Sequence, residues 1–114
     1  MRTTLTLLLA IGLTAACGSD SSSGSNPPPA GTVNVQDNSF KPANLTIAAG
    51  EDVTWQWKGG NSHNVTFEDG QDNSGSKTSG THQRVFAIAG TYRYRCTNHS
   101  SNFTSGMSGS VTVQ

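Results

Sequence analysis

Four side chains in this 114-residue sequence have the types and spacing needed to bind a transition metal. Cys96 and His99 are separated by two residues, so one loop can present both to a single ion, and Met107 follows eight residues after His99. His63 comes directly after a Gly-Gly-Asn-Ser turn, at the start of a predicted strand. A soft thiolate, two imidazoles and an optional weak thioether suit copper. The third histidine, His82, lies in a polar segment and is assigned to the surface.

The segments that must position these side chains alternate between apolar and polar residues, which is typical of β-strands. Within residues 52–58, for example, Val53, Trp55 and Trp57 share one face of the predicted strand. Glycine-containing turns separate the alternating segments, and no window shows a helical stripe. Seven to eight short strands predict an all-β fold, a sandwich or barrel with Greek-key connections. The segments are 32–35, 45–48, 52–58, 63–67, 83–88, 91–96 and 110–113.

Residues 32–113 resemble a cupredoxin, a type 1 or blue copper protein of the plastocyanin and amicyanin type. The Cys-x-x-His pair carries the resemblance together with the His-Asn pair upstream and the Gly-Met-x-Gly-x-Val stretch downstream. The resemblance implies a cupredoxin-like β-sandwich that holds one copper ion, Cu(I) or Cu(II), and transfers single electrons. The matching stretches are FKPANLTI at 40–47, GEDVTW at 50–55, HNVTF at 63–67, AGTYRYRC at 89–96 and GMSGSVTV at 106–113.

The resemblance also implies a role for each residue of the site. His63, Cys96 and His99 would be the three near-planar ligands, and Met107 would be the long axial ligand that helps to set the potential. Asn64 would tie the two ligand loops together and support the thiolate from outside the ligand set. The stretch from His99 to Met107 is longer than in plastocyanin or amicyanin. A backbone carbonyl near Ser62, or no strong axial ligand at all, is therefore the alternative to Met107.

The N-terminal 31 residues are predicted to be an export signal and a linker. Residues 1–16 combine Arg2, a short apolar run and small residues before Cys17, which resembles a lipoprotein signal peptide. Residues 17–31 would be the lipid-anchored cysteine with a Ser/Gly/Pro linker, and 32–114 the cupredoxin domain. The alternatives are an ordinary secretory signal that leaves Cys17 as a thiol, or a disulfide with Cys96. The disulfide is disfavoured because both cysteines have another use.

The charge and composition exclude some functions and favour others. Seven acidic and seven basic side chains give a formal net charge of zero, which argues against a nucleic-acid partner. No nucleophile–base pair or second metal cluster is evident, so we do not expect an enzyme. We expect an exported monomer, periplasmic or on the outer face of a membrane, that exchanges electrons with redox partner proteins. The alternatives are periplasmic copper storage, delivery or resistance, and a structural sandwich that only retains the ligands.

We predict that the protein fractionates with membranes and that a Cys17→Ala variant lacks the lipid. Fully extended, residues 18–31 span at most about 46–50 Å, from ~3.3–3.6 Å per residue. As a flexible coil they typically reach about 20 Å. The copper domain would therefore stay concentrated beside membrane-bound partners. Deleting most of residues 18–31 should slow electron delivery to such a partner without changing the copper spectrum. Native protein found wholly in the soluble fraction, unlipidated at Cys17, would contradict this prediction.

Overall fold

The alternating segments fold into two four-stranded sheets in a computed structural model that describes residues 31–114. The predicted signal peptide, the anchor at Cys17 and the linker up to residue 30 lie outside these described residues. Between residues 31 and 114 there is no helix long and apolar enough to cross a membrane. The strands are β1 Thr32–Gln36, β2 Ser39–Lys41, β3 Asn44–Ile47, β4 Asp52–Trp57, β5 Thr66–Phe67, β6 Thr81–Val85, β7 Gly90–Arg95 and β8 Ser108–Val113.

The order of the strands requires the chain to cross repeatedly between the sheets. The first sheet has the order β2-β1-β4-β6 and the second β3-β8-β7-β5. The β1–β4 and β3–β8 pairs are parallel, and the other neighbours are antiparallel. Parallel neighbours cannot be joined by a tight hairpin. Other strands accordingly separate them in the chain: β2 and β3 lie between β1 and β4, and β4 to β7 lie between β3 and β8. The all-β Greek-key sandwich predicted from the sequence is confirmed, with eight strands.

The core forms between the inner faces of the two sheets, and Trp55 is at its centre. Its side chain is fully buried on β4 of the first sheet. Its ring makes edge-to-face contacts with Phe67 and Tyr94 of the second sheet, each with ring centroids 5.4 Å apart. Such contacts each add about 0.5–1.5 kcal/mol beyond the burial of apolar area. The Trp55 side chain therefore joins the two layers at one point, close to the end of β7.

Tyr94 needs a residue without a side chain opposite it. The β7–β8 register places Tyr94 beside Gly109. A Cβ atom built on Gly109 would lie 2.6 Å from the Tyr94 hydroxyl and 2.6 Å from the Ala43 carbonyl oxygen. Neither distance is possible for a real side chain without movement of the backbone or the ring. Gly109 thus leaves space for the hydroxyl end of the Tyr94 ring in the core, two residues before Cys96.

The observed strands differ from the sequence prediction in three places. Strand β2 was not predicted, because three residues are too few to show alternation. Strand β5 begins at Thr66 rather than at His63, which makes only an isolated bridge with Lys77. Strand β6 begins at Thr81 and ends at Val85, before the predicted end at residue 88. Beyond it Phe86 pairs with the loop before β4 and Ile88 is 73% exposed.

Candidate metal centre

Cys96 lies at the point where β7 ends and the loop to β8 begins. Its backbone N–H donates to the Met107 carbonyl at 2.9 Å, which continues the β7–β8 pairing by one more bond. The His99 N–H then donates to the Cys96 carbonyl at 3.2 Å and closes a tight turn. The Cys96 side chain is fully buried, whereas His99 is exposed. The turn thus places a thiol inside the end of the sandwich and an imidazole at its surface.

His63 reaches the same place from the loop that follows β4. Its backbone exchanges two hydrogen bonds of 2.9 Å with Lys77, one in each direction. Its carbonyl also accepts a bond of 3.1 Å from the indole N–H of Trp57, a residue of β4. The His63 side chain is fully buried. The position of His63 is therefore fixed by Lys77 and by Trp57 of the first sheet, and that of Cys96 by β8 of the second.

The three donor atoms converge in the way that a single metal ion requires. Cys96 Sγ lies 3.8 Å from His63 Nδ1 and 3.6 Å from His99 Nδ1. All three donor atoms lie within 4.8 Å of one another. Three donors that surround one ion in a plane, each at ~2.0–2.3 Å, are about 3.5–4.0 Å apart. A soft thiolate with two imidazoles selects copper over hard cations such as Mg²⁺ or Ca²⁺. The residues present thus fit a bound copper ion.

Asn64 connects the two segments that carry the donors. Its side-chain N–H donates to Thr97 Oγ1 at 2.8 Å, and its carbonyl oxygen accepts from the Thr97 backbone N–H at 3.1 Å. The same oxygen accepts from the Thr66 hydroxyl at 2.8 Å. Because Asn64 follows His63 and Thr97 follows Cys96, these bonds set the spacing between the two ligand segments. That Asn64 also supports the thiolate stays a prediction.

Met107 lies at the end of the loop and contacts the site through its backbone. Its carbonyl accepts from Cys96, and its N–H donates to the His99 carbonyl at 3.3 Å. Its side chain is 1% exposed. The backbone of Met107 thus bonds to both neighbouring donor residues. The axial role of its thioether stays a prediction.

The long loop between His99 and Met107 is organised by its own side chains. The side-chain oxygen of Asn102 accepts from the backbone N–H groups of Thr104 at 2.9 Å and Ser105 at 2.8 Å. These bonds form a turn of the kind that asparagine favours. The loop therefore has an internal structure that does not depend on the donor side chains.

Two contacts of the site were not found in the sequence. Thr97 is the partner of Asn64, and Asp37, in the turn between β1 and β2, bonds to the far side of the His63 ring. The Asp37 carboxylate oxygen Oδ1 lies 2.9 Å from His63 Nε2. This hydrogen bond and those from the Asn61 and Gly60 amides hold the pKa of Asp37 below its ordinary value. Asp37 and His63 are 26 residues apart, so no local spacing rule connects them.

A two-sheet β-sandwich with a buried thiolate and two imidazoles converging at one end has the fold and the site of a cupredoxin. The family model described as copper binding proteins of the plastocyanin/azurin family matches residues 30–114. The chain therefore belongs to the plastocyanin/azurin family of copper-binding proteins. One type 1 copper ion, predicted from the sequence, is confirmed as its cofactor by this family and by the three-donor cluster.

Individual relatives agree with this assignment. A plastocyanin of Scenedesmus fuscus is 34% identical over 87 residues, covering 66% of this chain and 86% of the relative. A plastocyanin of Petroselinum crispum is 29% identical over 86 residues, covering 65% and 86%. A purple cupredoxin from Nitrosopumilus maritimus superposes with a TM-score of 0.60 at 26% identity, covering 73% of this chain and 98% of that chain. An oxidised amicyanin variant superposes with a TM-score of 0.64 at 26% identity, covering 75% and 82%.

We predict that the protein binds one copper per chain and that Cys96→Ser abolishes an intense visible band of the oxidised form. The band arises from charge transfer between a thiolate and Cu(II), so it requires the sulfur. Absorption spectra recorded during titration with Cu(II) measure both properties. His82→Gln is the control, because it changes a histidine outside the cluster and should keep the band. A band that survives in Cys96→Ser would show that the site has been misplaced.

Proposed function

We propose that this protein is a one-electron carrier whose copper site is formed by His63, Cys96 and His99. The observation that carries the proposal is that His63, from the loop between β4 and β5, converges within 4.8 Å with Cys96 and His99 from the loop after β7. Bound copper supplies a one-electron couple between Cu(I) and Cu(II). A protein that only transfers electrons needs no substrate pocket, so we propose a carrier rather than an enzyme.

The scaffold favours this use because it limits movement of the donors. His63 is fixed by bonds from Lys77 and Trp57, and Cys96 is fixed by β8. Donors held in one arrangement move little between the two oxidation states. The reorganisation energy of each electron transfer is therefore small. The protein thus contributes rigidity, and the metal contributes the electron.

His99 is the natural route between the site and a partner. It is the exposed member of the three, while the other two donors have no accessible surface. The exposed side chains next to it on the loop are polar and uncharged, and include Asn98, Ser101 and Asn102, while Phe103 is half-buried. We propose that redox partner proteins bind at this end of the sandwich, where the path through His99 is shortest. The protein would act as a monomer, without nucleic acid.

Copper storage or delivery is the second candidate, and the exposure of His99 is the observation that favours it. A partner could replace that single ligand and begin to remove the ion. The other two donors are fully buried, however, and a metal held by them leaves slowly. Among the described residues Met107 is the sole methionine, whereas Cu(I) delivery favours several accessible soft donors. Electron transfer is therefore the stronger proposal.

The location of the protein is a separate proposal that depends on residues 1–31. The Arg2 start, the short apolar run and the small residues before Cys17 support export. A lipid on Cys17 would place the carrier in the periplasm or on the outer face of a membrane. The linker would let the domain reach partners in that membrane.

We expect the copper-loaded protein to keep its metal through many cycles of reduction and oxidation. The reason is that buried His63 and Cys96 do not have to leave the ion when its charge changes. Visible absorption and metal analysis after repeated cycles with a chemical reductant and oxidant measure the retention, in the presence of a Cu(I) chelator as acceptor. Transfer of the copper to the chelator in the first reduced phase would favour delivery and overturn the carrier proposal.

We expect Met107→Leu to leave copper bound and to raise the reduction potential. A thioether donates weakly to Cu(II), so its loss favours Cu(I). Leucine has a similar volume and should cost less than about 1.5 kcal/mol of stability. Protein-film voltammetry gives the potential, and denaturant unfolding of the metal-free protein gives the stability. An unchanged potential and spectrum would show that the Met107 thioether is not an axial ligand.

A further inference from the structure

The Asp37 carboxylate hydrogen-bonds to the ring of His63, one of the metal donors. Asp37 Oδ1 lies 2.9 Å from His63 Nε2, on the opposite side of the ring from the Nδ1 atom that faces Cys96. The His63 side chain is 0% exposed, and that of Asp37 is 42% exposed. Between residues 31 and 114, Asp37 is the only acidic residue whose side chain hydrogen-bonds to one of the three donors. The carboxylate thus connects the buried site to solvent.

The position of Asp37 is defined by further contacts. Its carboxylate accepts hydrogen bonds from the backbone N–H groups of Asn61 at 3.1 Å and Gly60 at 3.3 Å. A Cβ atom on Gly59 would lie 2.2 Å from Asp37 Oδ1, so the close approach of the carboxylate depends on glycine there. One side chain therefore orders the loop that leads to His63 and also bonds to its ring.

The bond sets which nitrogen of the ring carries hydrogen. An ionised carboxylate can only accept a hydrogen bond, so Nε2 must donate. The neutral ring then has its lone pair on Nδ1, which is the atom that points to the other donors. A carboxylate on the far nitrogen also makes an imidazole a stronger donor to a metal. An uncharged acceptor such as an amide oxygen would orient the ring without adding this charge.

We propose that Asp37 is a positioning residue that holds His63 with Nδ1 free for the metal and lowers the reduction potential through its negative charge. The proposal rests on the proposed function. A negative charge behind the ligand stabilises the more positive ion, so it favours Cu(II) over Cu(I). Asp37 would therefore help to decide from which partners the protein can accept electrons.

Asp37→Asn separates charge from geometry, because asparagine keeps the size and one acceptor oxygen. We expect the ratio of reduced to oxidised copper at a fixed applied potential to rise about tenfold, which corresponds to about 59 mV for one electron. The thiolate band and one copper per chain should remain. Redox titration followed in the visible spectrum measures the ratio.

Asp52→Asn is the matched control, because it makes the same change of charge on the same fold. Asp52 begins β4, five residues before Trp57, and is roughly 16 Å from the site end of that strand. It should leave the ratio unchanged within error. An equal shift in both variants, or no shift in Asp37→Asn, would overturn the proposal.

A second measurement does not need copper. Nitrogen-15 NMR of the metal-free wild-type protein, near neutral pH, reports which ring nitrogen of His63 carries hydrogen. We expect hydrogen on Nε2 in the wild type and a mixture of the two forms in Asp37→Ala, which loses the acceptor. A neutral ring with its hydrogen on Nδ1 in the wild type would overturn the proposal even if Asp37→Asn does not fold.

The electron-carrier function and the role of Asp37 are refuted by different results. A wild-type protein without a thiolate band on Cu(II) addition would refute the proposed electron carrier. A wild-type protein with that band, combined with an unshifted Asp37→Asn variant, would refute only the role of Asp37.

Discussion

The hydrogen-bonded pairing of β7 with β8 is the interaction on which the metal site depends. It runs from Gly90 to Arg95 along β7 and is extended by the bond from the Cys96 N–H to the Met107 carbonyl. That last bond fixes where the thiol lies and where the loop returns. The tight turn from Cys96 to His99 is held on both sides by backbone hydrogen bonds with Met107. The second sheet therefore determines the thiolate and one imidazole together.

The other imidazole comes from the loop between β4 of the first sheet and β5 of the second, so the spacing of the donors depends on how the two layers pack. Trp55 holds the layers together in the core. The bonds between Asn64 and Thr97 join the segments that precede β5 and follow β7, which are neighbours in the second sheet. Buried polar groups are stable only when their hydrogen bonds are made, and Asn64 meets this condition on both sides of its amide. The cost of burying a polar residue beside the metal is offset by the order that it gives the site.

The sequence was sufficient for features that depend on local pattern or on the chemistry of single residues. Alternation in residues 52–58 predicted β4, and the Cys96–His99 spacing predicted a donor pair that the structure brings within 3.6 Å. The convergence of His63 with that pair came from a family resemblance, because nothing local relates residues so far apart. Asp37 was missed for the same reason, because it lies 26 residues from His63 in the sequence. Strand β2 was missed because three residues carry no period.

The loop from His99 to Met107 is held at both ends by backbone hydrogen bonds, and its middle is ordered by Asn102. Backbone bonds do not depend on which side chains lie between them. The entropy of closing a loop also rises only slowly with its length. This segment can therefore gain or lose residues over evolutionary time while the thiolate and imidazole stay in place. The sandwich can therefore keep the donors in place while the surface around His99 changes.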